Sequence, residues 1–387
     1  MKKVFSTIKS FLKETDILLF SLCVITSAFG LLMVYSATRY TLKDGAHFSR
    51  EFIIMLLAVF LGIIAALFLS YFDYQVYTKF WPVIAVFCVI IMLVLFKWGT
   101  GPSSRPDART WLSIGPINFQ PSELVKIGFI ITFGVHLDKV KEKINNIFSI
   151  LQLGAHAAVP IVLVAATGDM GSALVFMVIA IVMMFVAGVH WGYFLGGIAL
   201  VGAATPLIWT YVLKQLQKDR FLALIYPDLY PDIIYQQQRG LNAIGAGITG
   251  QGLFKGAYTQ AGAVPESQND MIFSVVGEEL GFIGCITALL LIVLITVRII
   301  YVGKKSSEQS TNLICTGMAA MIIGQMIINV GMCLMLLPVI GITLPFFSAG
   351  GSSNLCVYLG IGIVMSIYRH NCDTGAVNIR VYDSLKK

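Results

Sequence analysis

Ten apolar runs, each near the length of a bilayer span, dominate the chain: roughly residues 17–37, 52–71, 80–97, 121–137, 149–167, 170–188, 191–213, 272–301, 312–337 and 345–368. The hydrocarbon core of a membrane takes about 20 residues of α-helix. The pattern therefore predicts an all-α, polytopic integral membrane protein with about ten transmembrane helices, read as one transmembrane domain over residues 1–387. Almost nothing separates the runs 149–167 and 170–188, so the count is least secure there. The first run is too long for the core of a signal peptide and has no convincing cleavage site, so it reads as a retained span. One long stretch lies outside the runs, the 58 residues 214–271 before the eighth span.

Composition agrees and narrows the class. Of 387 residues, 57% are hydrophobic and only 12% charged, with a mean hydropathy of +0.83. A soluble domain carries about 25% charged residues, so no sizeable soluble domain is hidden here. The net charge of +7 points to topology rather than to nucleic acid. With the N-terminus inside, the inner segments hold Lys2, Lys3, Lys9, Lys13, Lys79, Lys139, Lys141, Lys143, Arg298, Lys304, Lys305, Arg369, Arg380, Lys386 and Lys387. The short outer loops hold Arg39, Lys43, Arg50, Lys97, Arg105 and Arg109. That bias places both termini in the cytoplasm and residues 214–271 outside. The seven cysteines form no CxxC pair and six lie in apolar runs, so they read as small buried hydrophobes.

Charge near hydrocarbon is costly and marks candidate sites. "PESQNDMIFSVVGEELGFIG" puts Glu266, Asp270, Glu278 and Glu279 at the mouth of the eighth span. Asn269 or Asp270 could cap that helix. Glu266 and Asp270, four residues apart, would share a face if the segment were helical. A carboxylate there could also serve as a general base. "QPSELVK" opens the fourth span with Glu123 and Lys126 at i, i+3, neighbours on one helix face. Asp169 sits in the tight connection before the sixth span, where a helix N-cap is expected. Arg50 precedes the second span, as an interfacial anchor would. Gly245, Gly247 and Gly250 fit GxGxxG, but no strand–turn–helix context surrounds them, so they predict a flexible outer loop or a close approach to a ligand rather than a nucleotide site.

Four blocks carry a resemblance: "RTWLSIGPINFQPSELVK", "AIGAG", "PESQNDMIFSVVGEELGFIG" and "LLPVIGITLPFFSAGGSSNL". In this order they resemble the diagnostic blocks of the SEDS (shape, elongation, division and sporulation) proteins RodA, FtsW and SpoVE, with a lean toward RodA. The chain departs from the family pattern at Asn269, Met271, Ala349 and Arg239. The resemblance implies a peptidoglycan glycosyltransferase that polymerises lipid II on the outer face of the bacterial cytoplasmic membrane. It implies Asp270 as the catalytic carboxylate, with Glu266, Glu123, Lys126, Asp169 and Arg50 substrate-binding or supporting. Arg50, Arg109 and Lys126 are the cations expected to face the leaving pyrophosphate. A divalent cation, magnesium or manganese, is expected with oxygen ligands; nucleotide and zinc are not. The implied partners are lipid II, nascent glycan, membrane lipid and a class B penicillin-binding protein, and no nucleic acid. Polar residues at membrane depth also suit a lipid II flippase, and a silent scaffold for a synthase is the third reading.

Overall fold

The computed structural model describes residues 15–42, 45–101, 108–115 and 117–384. Lys2, Lys3, Lys9, Lys13, Lys43, Arg105, Lys386 and Lys387 of the charge count lie outside them. Each apolar run becomes a helix: α1 Ile17–Thr38, α2 Arg50–Leu69, α3 Trp81–Trp98, α4 Pro121–Lys139, α5 Ile147–Ala166, α6 Met170–Val186 and α7 Trp191–Leu207. Two amphipathic helices follow, α8 Gln215–Ile225 and α9 Pro231–Ile244. Then come α10 Ile272–Lys305, α11 Gln309–Cys333 and α12 Gly351–Ser384. Among the described residues eight helices are long and apolar enough to cross a membrane. α6, with 17 residues, falls just short of that length, and α4 carries Glu123, Lys126, Asp138 and Lys139. Counting these two gives the ten spans that the hydropathy pattern predicts. The doubtful pair is real: the chain turns within Thr167, Gly168 and Asp169, and α5 and α6 are separate helices. Against this helical background the described residues hold a small antiparallel hairpin, β1 Leu112–Ile114 with β2 Ile117–Phe119, and an isolated bridge between Thr100 and Trp111.

α11 is the centre of the bundle, with 83% of its most apolar stretch buried, whereas none of that stretch in α7 is buried. Between lipid-soluble helices there is little hydrophobic drive, so association relies on close packing and hydrogen bonds. α2 and α12 show the packing: a Cβ on Gly62 would come within 2.9 Å of Tyr358 Cβ, and one on Gly362 within 2.8 Å of Ala66 Cα. Hydrogen bonds do the rest. Tyr358 Oη lies 2.8 Å from Ser27 Oγ and donates to the Cys23 carbonyl of α1. His136 of α4 and His156 of α5 meet Nδ1 to Nδ1 at 2.9 Å. At the start of α1 Asp16 caps the helix through the Leu19 amide and binds Arg298 of α10 at 2.8 Å.

The segment 214–271 carries secondary structure of its own, including α8 and α9. α9 packs along the start of α10, so closely that a Cβ on Gly240 would lie 2.2 Å from Met271 Cε. α10 itself is broken at Gly281 (φ 64°, ψ −157°), a conformation open essentially to glycine alone. The break strands backbone groups in apolar surroundings, where each costs several kcal/mol unless paired. Residues 247–252 supply the partners. Gly247 and Ile248 carbonyls accept from the Phe282 and Ile283 amides, and Glu278 and Glu279 carbonyls accept from Gln251 and Gly252. Gly250 of the GxGxxG stretch thus lies against a helix break: a Cβ on it would sit 2.5 Å from the Gly281 nitrogen.

Candidate active site

Because spans alternate in direction, the starts of α2, α4, α6, α10 and α12 fall at one end of the bundle. Every candidate residue lies there. Ser49 caps α2 through the Phe52 amide and donates to Thr38 at the end of α1, which sets exposed Arg50 at this rim. Arg109 is exposed, and its amide binds the Thr167 carbonyl beside the α5–α6 turn.

Asp169 caps α6, its Oδ1 accepting from the Ser172 amide at 3.0 Å. Its Oδ2 accepts from Gln120 Nε2 at 2.8 Å and Ser122 Oγ at 3.2 Å, so the expected cap also ties α6 to the start of α4. Ser352, at the start of α12, accepts from the Gln120 amide at 3.1 Å and thereby adds the third helix. Glu123 and Lys126 form the predicted pair, Nζ to Oε1 at 2.8 Å, with side chains 7% and 0% exposed. Lys126 is thus enclosed and engaged by Glu123, which fits support of the site better than contact with a pyrophosphate.

The four carboxylates at the mouth of α10 have divided tasks. Glu278, fully buried, accepts from the Tyr258 amide at 2.7 Å and from the Thr259 amide and hydroxyl at 2.9 and 2.6 Å. Glu279, also fully buried, accepts from Ser36 Oγ at 2.6 Å and Gln260 Nε2 at 3.2 Å. These two fasten residues 257–260 to α10 and α1. Glu266 and Asp270 do not share a helical face, because residues 265–271 form turns and Glu266 adopts φ +53°. Glu266 is exposed and accepts from Asn269 Nδ2 at 2.6 Å. Nor does Asn269 or Asp270 cap α10: its N-cap is Met271, with no side-chain hydrogen bond.

Asp270 faces a crevice instead. It is 8% exposed, and Oδ1 accepts from Gln236 Nε2 of α9 at 3.3 Å. Oδ2 faces Gly341 of the α11–α12 connection, where an added Cβ would lie 3.8 Å away. Asn329 Nδ2 of α11 donates to the Asp270 carbonyl and to the Ile342 carbonyl, both at 2.7 Å, pinning the two segments together. Gln237 Nε2 donates to the Met332 and Leu337 carbonyls, each at 2.8 Å, and Ala349 N donates to the Gln268 carbonyl at 2.9 Å. Gln236, Gln237, Asn329 and Gly341 were not candidates from the sequence. Gly341 alone had a local signal, its place in the "LLPVIGITLP" block; the others act through partners 13 to 100 residues away. The sum is a buried carboxylate, its main chain met by Asn329 and its Oδ1 by Gln236, at the rim of a helical bundle where a lipid-borne hydroxyl could reach it.

A sequence profile of the FtsW, RodA and SpoVE cell cycle proteins matches residues 16–373. The Escherichia coli K12 peptidoglycan glycosyltransferase MrdB is 28% identical over 314 residues, 80% of this chain and 83% of its own. A probable peptidoglycan glycosyltransferase FtsW of Geobacter sp. M18 is 31% identical over 364 residues, 91% and 96% of the two chains. Among solved structures, a chain from a study of polymerisation and crosslinking by a peptidoglycan synthase complex aligns with TM-score 0.78 and 26% identity, covering 92% of this chain and 98% of that one. The Thermus thermophilus rod shape determining protein RodA aligns with TM-score 0.68 and 24% identity over 92% and 97% of the chains, a likeness of fold.

Proposed function

This chain belongs to the FtsW, RodA and SpoVE family, and from that premise we propose how it works as a peptidoglycan glycosyltransferase that polymerises lipid II in the bacterial cytoplasmic membrane. The observation that carries the reading is Asp270: a carboxylate in a crevice at the mouth of α10, 8% exposed, not used to cap that helix and met by the Gln236 amide. The donor's muramyl sugar bears an α-linked pyrophosphate and the polymer bond is β, so one inverting displacement suffices. Asp270 takes the proton from the acceptor sugar's 4-hydroxyl as that oxygen bonds to the donor's anomeric carbon. The bond to the pyrophosphate breaks, and the lipid pyrophosphate leaves carrying the electron pair. Arg50 and Arg109, exposed at the same rim, are the cations placed to receive that charge. Glu123, Lys126 and Asp169 hold the starts of α4 and α6 in position.

A magnesium or manganese ion belongs to this proposal. Among the described residues no three His, Cys, Asp or Glu side chains stand together. An ion here would therefore be held mainly by oxygens of the substrate's pyrophosphate and water, the usual manner of magnesium, which leaves Asp270 to take the proton. When bound it would offset charge on the pyrophosphate. The site faces the outside of the membrane, both termini are cytoplasmic, and a class B penicillin-binding protein is the partner; the charge bias of the loops supports the first two.

Purified protein incubated with lipid II in detergent tests the activity. Glycan chains are expected. Movement of labelled lipid II between liposome leaflets without chains would make the protein a flippase, and neither activity, with a synthase still captured, would make it a scaffold.

A further inference from the structure

We propose that Arg239 of α9 is a specificity residue that binds a carboxylate of the peptide carried by the acceptor substrate. This rests on the reading of Asp270 as the base, and takes from it only where the acceptor's hydroxyl sits. Arg239 is half-buried, and its guanidinium lies over two aromatic rings, 5.2 Å from the centroid of Tyr235 and 5.8 Å from that of Tyr258. Both rings are fixed. Tyr235 is one turn back on α9, and the Tyr258 amide is tied to buried Glu278 at 2.7 Å. α9 itself is stapled by Gln237 to the Met332 and Leu337 carbonyls. The rings hold the cation by its face. Among the described residues no hydrogen bond or ion pair takes up its N–H donors. A guanidinium that is oriented, partly removed from water and unmatched by an anion is a receptor for one. Its planar fork suits a carboxylate held by two parallel hydrogen bonds.

Position selects the ligand. Arg239 follows Gln236 by three residues, so the two side chains are neighbours on α9, and the Gln236 amide lies 3.3 Å from Asp270 Oδ1. The cation therefore adjoins the crevice on the side of the base. In an inverting displacement the pyrophosphate leaves from the face of the anomeric carbon opposite the attacking oxygen. A group beside the base thus meets the acceptor rather than the leaving group. The acceptor's own pyrophosphate hangs from the far end of its muramyl sugar, toward the membrane. The peptide branches from that sugar next to its bond with the glucosamine whose 4-hydroxyl attacks, and its anions are carboxylates. Arg239 is one of the positions at which this chain departs from the family pattern, so the preference belongs to this chain.

The test compares lipid II with lipid II whose peptide carboxylates are converted to carboxamides, as substrates for wild type, Arg239→Gln and Arg239→Lys, with melting temperatures measured alongside. Wild type should polymerise the carboxylate form with a KM about tenfold lower than the amidated form, the scale of a lost charged hydrogen bond, and with similar kcat. Arg239→Gln is neutral and of similar length; it should raise KM for the carboxylate form alone and so erase the difference. Arg239→Lys keeps the charge over the rings but not the planar fork. It should lie between the two, and it carries the test if the glutamine variant does not fold. A cation that merely braces Tyr258 would not read the substrate. Equal KM values in wild type, an equal loss on both forms in the folded variants, or a preference undiminished in them overturns the proposal while leaving the polymerase reading in place. No glycan from either form with wild type overturns the reading beneath it.

Discussion

A lysine with no solvent exposure is the most demanding residue in this chain, and its sequence neighbour three positions back explains it. Lys126 and Glu123 were legible because helical spacing brings i and i+3 together without knowledge of the fold. Removing one partner of a buried pair costs about 3–5 kcal/mol, whereas replacing both with apolar or neutral groups of similar volume is often tolerated. Lys126→Met and Glu123→Gln singly should therefore lower the melting temperature more than the double variant does. A double variant that folds yet makes no glycan would show that one member touches substrate. Asp169 was legible on similar grounds as a cap, but its bonds to Gln120 and Ser122 were not, since they join residues 49 and 47 positions apart. Glu278 and Glu279 misled in the opposite direction. Their charge suggested chemistry, and their bonds show them to be fasteners for residues 257–260.

At the scale of elements, the spans followed from hydropathy alone, because a bilayer allows helices and little else. The break in α10 did not. "GEELGFIG" reads as uninterrupted helix, and only the inserted 247–252 segment makes the left-handed Gly281 affordable. That segment and the break depend on each other, which gives a sharp expectation. Gly281→Ala would set a Cβ 2.3 Å from the Gly250 nitrogen and 2.5 Å from the Ile248 carbonyl oxygen. Strain of this kind costs about 1–3 kcal/mol before the clash is counted. Faster amide exchange should appear across residues 245–260 with α11 still protected. Unchanged exchange there would mean that the segment is held by α9 and Glu278 instead.

For the whole molecule, the proposed orientation rests on the charge bias of the loops, since a helical bundle alone has no inside or outside. The exposed Lys255, replaced by cysteine, should react with a membrane-impermeant reagent in intact cells. Protection of that site, with labelling only after lysis, would invert the topology and remove lipid II from its reach. Much of the site's address was in the sequence, since Asp270, Asp169, Glu123 and Arg50 all open spans at one end. Its architecture was not, because α9, the end of α11 and the α11–α12 connection converge on Asp270 only in the fold. The most direct measurement of the account is the initial rate of lipid II polymerisation by purified Asp270→Asn against wild type. The amide keeps the size of the carboxylate and can still accept from Gln236, but it has negligible basicity. General base catalysis contributes about 10²- to 10⁴-fold, so the variant should fold, bind lipid II and form glycan at least about 100-fold more slowly, without rescue by added magnesium. Retention of more than about a tenth of wild-type turnover, set against that minimum, would contradict the assignment of Asp270 as the base.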